Sequence, residues 1–106
     1  MKQKLESYHA IDAEENPAGG RTTGTGIVID WQNGPLGTGE NRKEPNGAFV
    51  EGVIEAALDR LLFYQTTKFS CIENSIAIAN LRCSLAALDV RTKNREACGV
   101  EGTHSL

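Results

Sequence analysis

Arg91 and Arg95 lie one helical turn apart, with Lys93 between them, and precede a tail that carries Gly99, Gly102 and Thr103. Guanidinium groups at that spacing can grip phosphates through paired hydrogen bonds. Gly99 and Gly102 would let backbone N–H groups approach the same anion, and Thr103 would add a hydroxyl. The plainer account is that cations at a helix C-terminus offset its dipole by roughly 0.3–1 kcal/mol each. Upstream, Trp31 precedes Asn33-Gly34-Pro35 and reads either as a core anchor or as a stacking surface for a base. Asn46-Gly47 reads as a turn and helix start; as a ligand contact, the Asn46 amide could donate and accept.

No catalytic motif accompanies these groups. There is no nucleophile elbow, Walker loop or metal quartet. His9 and His104 both lie in polar terminal segments. Glu51, Glu55 and Asp59 fall on the polar face of a helical pattern and read as solvated surface. Cys71, Cys83 and Cys98 have no metal-ligand spacing. Cys71 and Cys83 read as small buried hydrophobes. The odd cysteine count, with no apolar leader behind Met1-Lys2-Gln3-Lys4, points to a reducing cytoplasm.

The elements that must position these groups are a strand and two helices. Thr25 to Gln32 is β-branched and aromatic, is bounded by Gly24 and Asn33-Gly34-Pro35, and reads as a strand within a β element over 22–36. One strand cannot stand alone. Its partner is a short segment nearby, the N-terminal arm or another subunit. Residues 1–24, polar and centred on Asn16-Pro17-Ala18-Gly19-Gly20, read as a flexible arm.

The first helix is expected over 48–65. Val50, Val53, Ile54, Ala57, Leu58, Leu61 and Tyr64 make its broad apolar face. The second is expected over 70–95, opened by Ser70 and Glu73 as a capping box. It carries two apolar lines: Ile72, Ile76, Ala79, Cys83, Ala86 and Val90, and Ile78, Leu81, Leu85 and Leu88. At about 100° per residue they fall on nearly opposite sides. The short link implies an antiparallel hairpin, so one line faces the first helix and the other asks for a second partner.

The whole therefore reads as α+β: an N-terminal β element, then a helical hairpin that oligomerises. It forms a single domain over 25–106 with a tail at 96–106. At 106 residues and 11.5 kDa the chain can bury only one modest core. Its net charge of −3 disfavours wholesale binding to DNA or RNA, which calls for a basic field. No apolar run approaches the ~18 residues of a membrane span.

Several of these residues recur in one known pattern. Trp31-Gln32-Asn33-Gly34-Pro35, Asn46-Gly47, Asp59-Arg60-Leu61, Tyr64-Gln65, Phe69-Ser70-Cys71-Ile72-Glu73-Asn74 and the ending from Arg91 to His104 appear in that order. Over about residues 25–104 the sequence resembles the Thoeris anti-defence sponge family of phages, whose helical hairpin is shared with the anti-CBASS sponges.

The resemblance implies a non-enzymatic viral protein of the host bacterial cytoplasm, without cofactor, metal, nucleic-acid polymer or membrane partner. Such proteins bind nucleotide second messengers and hold them uncleaved. The signals are glycocyclic ADP-ribose isomers and, for some members, cyclic di- or trinucleotides. They assemble from their helices as dimers or hexamers, with pockets between subunits. On that pattern Trp31 would stack on a base and Asn33 and Asn46 would read polar edges. Arg60, Arg91 and Arg95 would neutralise phosphates, and Gly102 and Thr103 would donate from backbone and hydroxyl. Two positions depart from it: Trp31 stands where the family usually has Phe, and Cys98 where Arg usually precedes Gly-Val-Glu-Gly-Thr. The alternative reading is a non-catalytic protein-interaction module, in which the second apolar line binds another protein and the arginines only cap the helix.

Overall fold

A computed structural model describes residues 4–106. The first three residues of the expected arm lie outside the described residues. The architecture is α+β: strands β1 (Glu6–Ile11), β2 (Pro17–Gly24) and β3 (Ile27–Asn33), then helices α1 (Val50–Tyr64) and α2 (Ile72–Ala97). The described residues form two compact units, 4–49 with 100–106, and 50–99. The domain read over 25–106 thus takes parts of both. Among the described residues, no helix is long and apolar enough to cross a membrane.

In the first unit the strands form an antiparallel meander in the order β1-β2-β3. The strand expected from Thr25 is β3, and its partner is the segment read as an arm, which supplies β1 and β2. That segment lacks apolar alternation, and other features hold it. Asp12 closes the β1–β2 turn: its Oδ1 accepts from the Glu14 and Asn16 amides at 2.9 and 3.0 Å. The Asn16 amide bond is the main cause that holds the Asp12 carboxyl below its ordinary pKa. Thr25 and Gly26 make a tight β2–β3 turn whose second residue has φ +73°, a region open to glycine. On the exposed face Arg21 Nε meets Asp30 Oδ1 at 2.6 Å across the β2–β3 pair, and that hydrogen bond raises the Arg21 pKa. The opposite face carries Ile27, Ile29 and Trp31, all half-buried, and the buried Thr22.

In the second unit α1 and α2 pack on each other. The less exposed apolar residues of α1 are Val53, Ile54, Leu58 and Leu61, a narrower face than expected, because Val50, Ala57 and Tyr64 are exposed; Glu51, read as solvated surface, is half-buried. On α2 the Leu-rich line is the covered one: Ile78 is buried and Leu81, Leu85 and Leu88 are half-buried. Every residue of the smaller line, from Ile72 to Val90, is exposed. Cys71, Cys83 and Cys98 are exposed too, so the buried-hydrophobe reading of Cys71 and Cys83 fails. Cys83 lies on the uncovered line, and Cys71 is the α2 N-cap position.

The Ser70–Glu73 capping box does not form: α2 starts after Cys71 without a side-chain cap. Gln65 replaces it. Its Oε1 accepts from the Cys71 amide (3.1 Å) and Asn74 Nδ2 (3.1 Å), and its Nε2 donates to Cys71 O (3.0 Å) and Ser75 Oγ (2.8 Å). At the end of α1 the Phe63 and Tyr64 carbonyls accept from the Thr66 and Thr67 amides, and the hydroxyls of the same two threonines donate to them as well.

Candidate ligand-binding site

Trp31 is set by a hydrogen-bond chain that crosses the sheet. Its Nε1 donates to Thr22 Oγ1 at 2.9 Å, and Thr22 Oγ1 lies 2.8 Å from Ser7 Oγ. Gly20 sits opposite Trp31 on β2. A side chain there is excluded, because its Cβ would collide with the Tyr8 carbonyl of β1. The indole is therefore fixed in plane and half-buried, with its polar edge already satisfied.

Immediately after Trp31 the backbone is locked by two carboxamides. Gln32 Oε1 accepts from the Asn46 and Gly47 amides at 2.9 and 3.2 Å, while its Nε2 donates to Gly34 O at 3.1 Å. Asn46 Oδ1 accepts from the Asn33 amide at 2.8 Å, and Asn46 Nδ2 donates to Asn33 O at 2.9 Å. Ala48 completes the closure through Gln32 N to Ala48 O (3.0 Å) and Ala48 N to Asp30 O (2.7 Å), which covers the outer edge of β3. Gly47 is confined: a Cβ there would lie 2.6 Å from both the carbonyl carbon and oxygen of Trp31. The Asn46 amide, read from sequence as a ligand contact, thus already donates and accepts within the fold. The exposed Asn33 carboxamide has no hydrogen bond among the described residues.

The tail returns to the loop after β3. Gly37 N donates to Gly102 O at 2.8 Å, and Arg42 forms a forked pair with Glu101. Gly102 has φ +77°. Thr103 folds onto its own turn, its N and Oγ1 both donating to Val100 O at 3.1 and 2.5 Å. Gly99, at φ +71°, follows the helix end, where its amide donates to Glu96 O at 3.0 Å. That is a helix-terminating role. Trp31, Asn33, Asn46, Gly102 and Thr103 accordingly all belong to the sheet-containing unit.

The three cations Arg60, Arg91 and Arg95 belong to the helical unit. Arg60 lies over two rings, 4.8 Å from the Phe63 centroid and 5.0 Å from that of Tyr64. Arg91 is exposed, Arg95 is half-buried, and Lys93 pairs instead with Asp89 at 3.6 Å. Within one hairpin Arg60 does not meet the other two. Gln65 is level with Ser75, so Arg60 is level with the early part of α2, and Arg91 and Arg95 lie further along by roughly 15–20 Å. Among the described residues no cluster of His, Cys, Asp and Glu could hold a metal ion.

No family model matches the chain. Over 77 residues it is 38% identical to Thoeris anti-defense 1 of Bacillus phage SBSphiJ7, covering 73% of this chain and 51% of that protein. The chain is a relative of Thoeris anti-defense 1. The family likeness read from the motifs is thereby shown, and the chain spans about half the length of the curated relative it matches.

Sequence reasoning missed Gln32 as the organiser of the loop, although it lies inside the Trp31-to-Pro35 motif. It missed Arg42 altogether and gave Glu101, inside the quoted ending, no role of its own. Gln32 carried a signal: a carboxamide flanked by a strand end and a Gly-Pro turn is well placed to bind backbone. Arg42 carried none, because its partner lies 59 residues away.

Proposed function

We propose that this chain is a phage anti-defence protein that binds cyclic nucleotide-type immune signals and holds them uncleaved. The ligands are glycocyclic ADP-ribose isomers, with cyclic di- and trinucleotides as further candidates, and the pathways blocked are Thoeris and, for the latter signals, CBASS. The observation that carries this reading is the pinned Trp31 ring beside a loop whose backbone is fixed by Gln32 and Asn46. An aromatic face and a rigid polar loop suit a ligand that is planar at one end and polar at the other, and a preformed site lowers the ordering cost of binding. Asn33 offers its carboxamide to the ligand, whereas Asn46 acts by holding Asn33.

The phosphate contacts fall to Arg60, Arg91 and Arg95. Because Arg60 stands far from the other two along one hairpin, a pocket that uses all three draws them from more than one copy. The exposed line of Ile72, Ile76, Ala79, Cys83, Ala86 and Val90 supplies a face for such an assembly, a dimer or a hexamer. Slow release, which sequestration requires, follows when the pocket closes around the ligand.

A thermal-shift panel of the named signals, run beside light scattering, tests this reading. A bound signal at a hundred times its Kd adds about 2.7 kcal/mol. The ligand must also return intact after heat denaturation; a hydrolysed product would instead make the protein an enzyme. The exposed line on α2 also favours a second reading, a protein-interaction module. Unchanged melting with every signal, in the wild type and in an Arg91→Ala, Arg95→Ala double variant alike, selects that reading.

A further inference from the structure

A paired ionic contact outside the residues so far given a ligand role joins two segments 59 positions apart. Arg42 Nη1 donates to Glu101 Oε2 at 2.6 Å and Arg42 Nη2 to Glu101 Oε1 at 2.9 Å, the two-pronged arrangement that a guanidinium and a carboxylate make best. The same Nη1 reaches Gly37 O at 3.4 Å, and the neighbouring Gly37 amide holds Gly102 O at 2.8 Å. The pair therefore fixes side chain and backbone of one junction together. Gly102 leaves no slack in it: at φ +77° a Cβ would run into the Gly37 carbonyl. The next residue is Thr103, wound onto Val100.

Exposed ion pairs usually contribute little, because water screens them and two long side chains must be ordered. This pair differs in three respects. Its geometry is forked, Glu101 is only 27% exposed, and both partners adjoin the backbone bond between Gly37 and Gly102. This tie falls on the residues flanking Gly102 and Thr103.

We propose that Arg42 and Glu101 are positioning residues: their ion pair fixes the tail on the 37–42 loop so that Gly102 and Thr103 meet the ligand already ordered. This rests on the proposed ligand-binding function. Without the pair, the tail must be ordered when the ligand arrives, and affinity falls by that cost. Neither residue has to touch the ligand.

The test is titration of the full chain with glycocyclic ADP-ribose isomers, for the wild type, Arg42→Ala, Glu101→Ala and the charge-swapped Arg42→Glu, Glu101→Arg double variant. Gly37 amide exchange is measured alongside. Each single variant is expected to bind about five- to tenfold more weakly, the cost of a tail that must be ordered on binding. Exchange at Gly37 should quicken in both, and the swap should recover most of both losses. Singles that bind as tightly as wild type would overturn the proposal. So would a loss confined to Arg42→Ala that the swap does not restore, because Arg42 would then be contacting the ligand itself. Wild type that binds none of the isomers removes the proposed function instead. The clasp is then judged on Gly37 exchange alone, and unchanged exchange in both single variants refutes it.

Discussion

In the sheet-containing unit, position is set by discrete polar bonds: Trp31 to Thr22, Gln32 and Asn46 to backbone, Arg42 to Glu101. In the helical unit, the helices meet along one line of apolar contact with Gln65 stapling the link, and a longer apolar line stays uncovered. The first kind of order is local and complete within one chain. The second is incomplete, because a helix with two apolar lines has a face left over for another partner. A single chain thus fixes the Trp31 ring and its loop by itself, whereas the arginines proposed to meet phosphate lie on the helical unit. Ways to break this contrast differ in the size of effect expected.

The largest effect is expected at Gly47. An alanine Cβ there meets the Trp31 carbonyl and, at 2.7 Å, the Asp30 oxygen, all of them backbone that cannot swing away. Overpacking of this kind costs about 2–3 kcal/mol. Thermal unfolding followed by fluorescence reads it directly, because Trp31 is the sole tryptophan. Unchanged emission and melting in Gly47→Ala would show that the loop is looser than its bonds imply.

The two lines of α2 give the next contrast. Leu85 is half-buried on the covered line, so Leu85→Ala should cost about 2 kcal/mol, the low end for a core leucine. Ile76 is 56% exposed on the other line, and Ile76→Ser should change the stability of a single chain by less than about 0.5 kcal/mol. If the uncovered line joins copies, the same serine lowers the mass measured by light scattering. Equal destabilisation by both variants, with no change in mass, would erase the difference between the lines.

How much of this could be read in advance divides along the same boundary. Both helices were legible because their apolar residues repeat every three or four positions; the observed spans, Val50–Tyr64 and Ile72–Ala97, differ from expectation by two residues or fewer at each end. The existence of two lines was also legible, but not which one helix α1 would cover. β3 was legible from Ile27-Val28-Ile29, with Trp31 as its aromatic. β1 and β2 were not: Pro17-Ala18-Gly19-Gly20 has neither β-branching nor alternation, and its pairing rests on positive-φ glycines and on the Asp12 turn. For the site, the sequence offered residue types but not their engagements. Asn46 reads as an available amide until Asn33, thirteen residues away, is seen to take both of its polar ends.

The hairpin link carries a smaller effect. Gln65 makes four hydrogen bonds to Cys71, Asn74 and Ser75, so Gln65→Ala should destabilise the helical unit by about 1–2 kcal/mol. Ser70→Ala should be nearly silent, because Ser70 caps nothing. Helicity lost on heating, followed by circular dichroism, separates the two. A costly Ser70→Ala beside a silent Gln65→Ala would reinstate the capping box and remove Gln65 as the staple.

The smallest effect is expected at the β1–β2 turn, and it depends on pH. The Asn16 amide and then the Glu14 amide stabilise ionised Asp12, so its carboxyl titrates lower in the folded chain than in the unfolded one. A carboxyl of this kind adds stability that is fully present above its unfolded pKa and disappears as pH falls through the folded value. Protonation is taken up preferentially by the unfolded chain in that interval, which pulls the equilibrium towards unfolding. Asp12→Asn keeps an acceptor for the turn but cannot ionise. Its melting temperature should therefore lie slightly below wild type at neutral pH, and the two should converge as the acid limb is descended. Because Asp12 sits in a surface turn within reach of solvent ions, added salt should narrow the neutral-pH gap. A gap that persists undiminished at acid pH would mean that the introduced asparagine disturbs the turn sterically, and that the ionised carboxylate is not what holds β1 against β2.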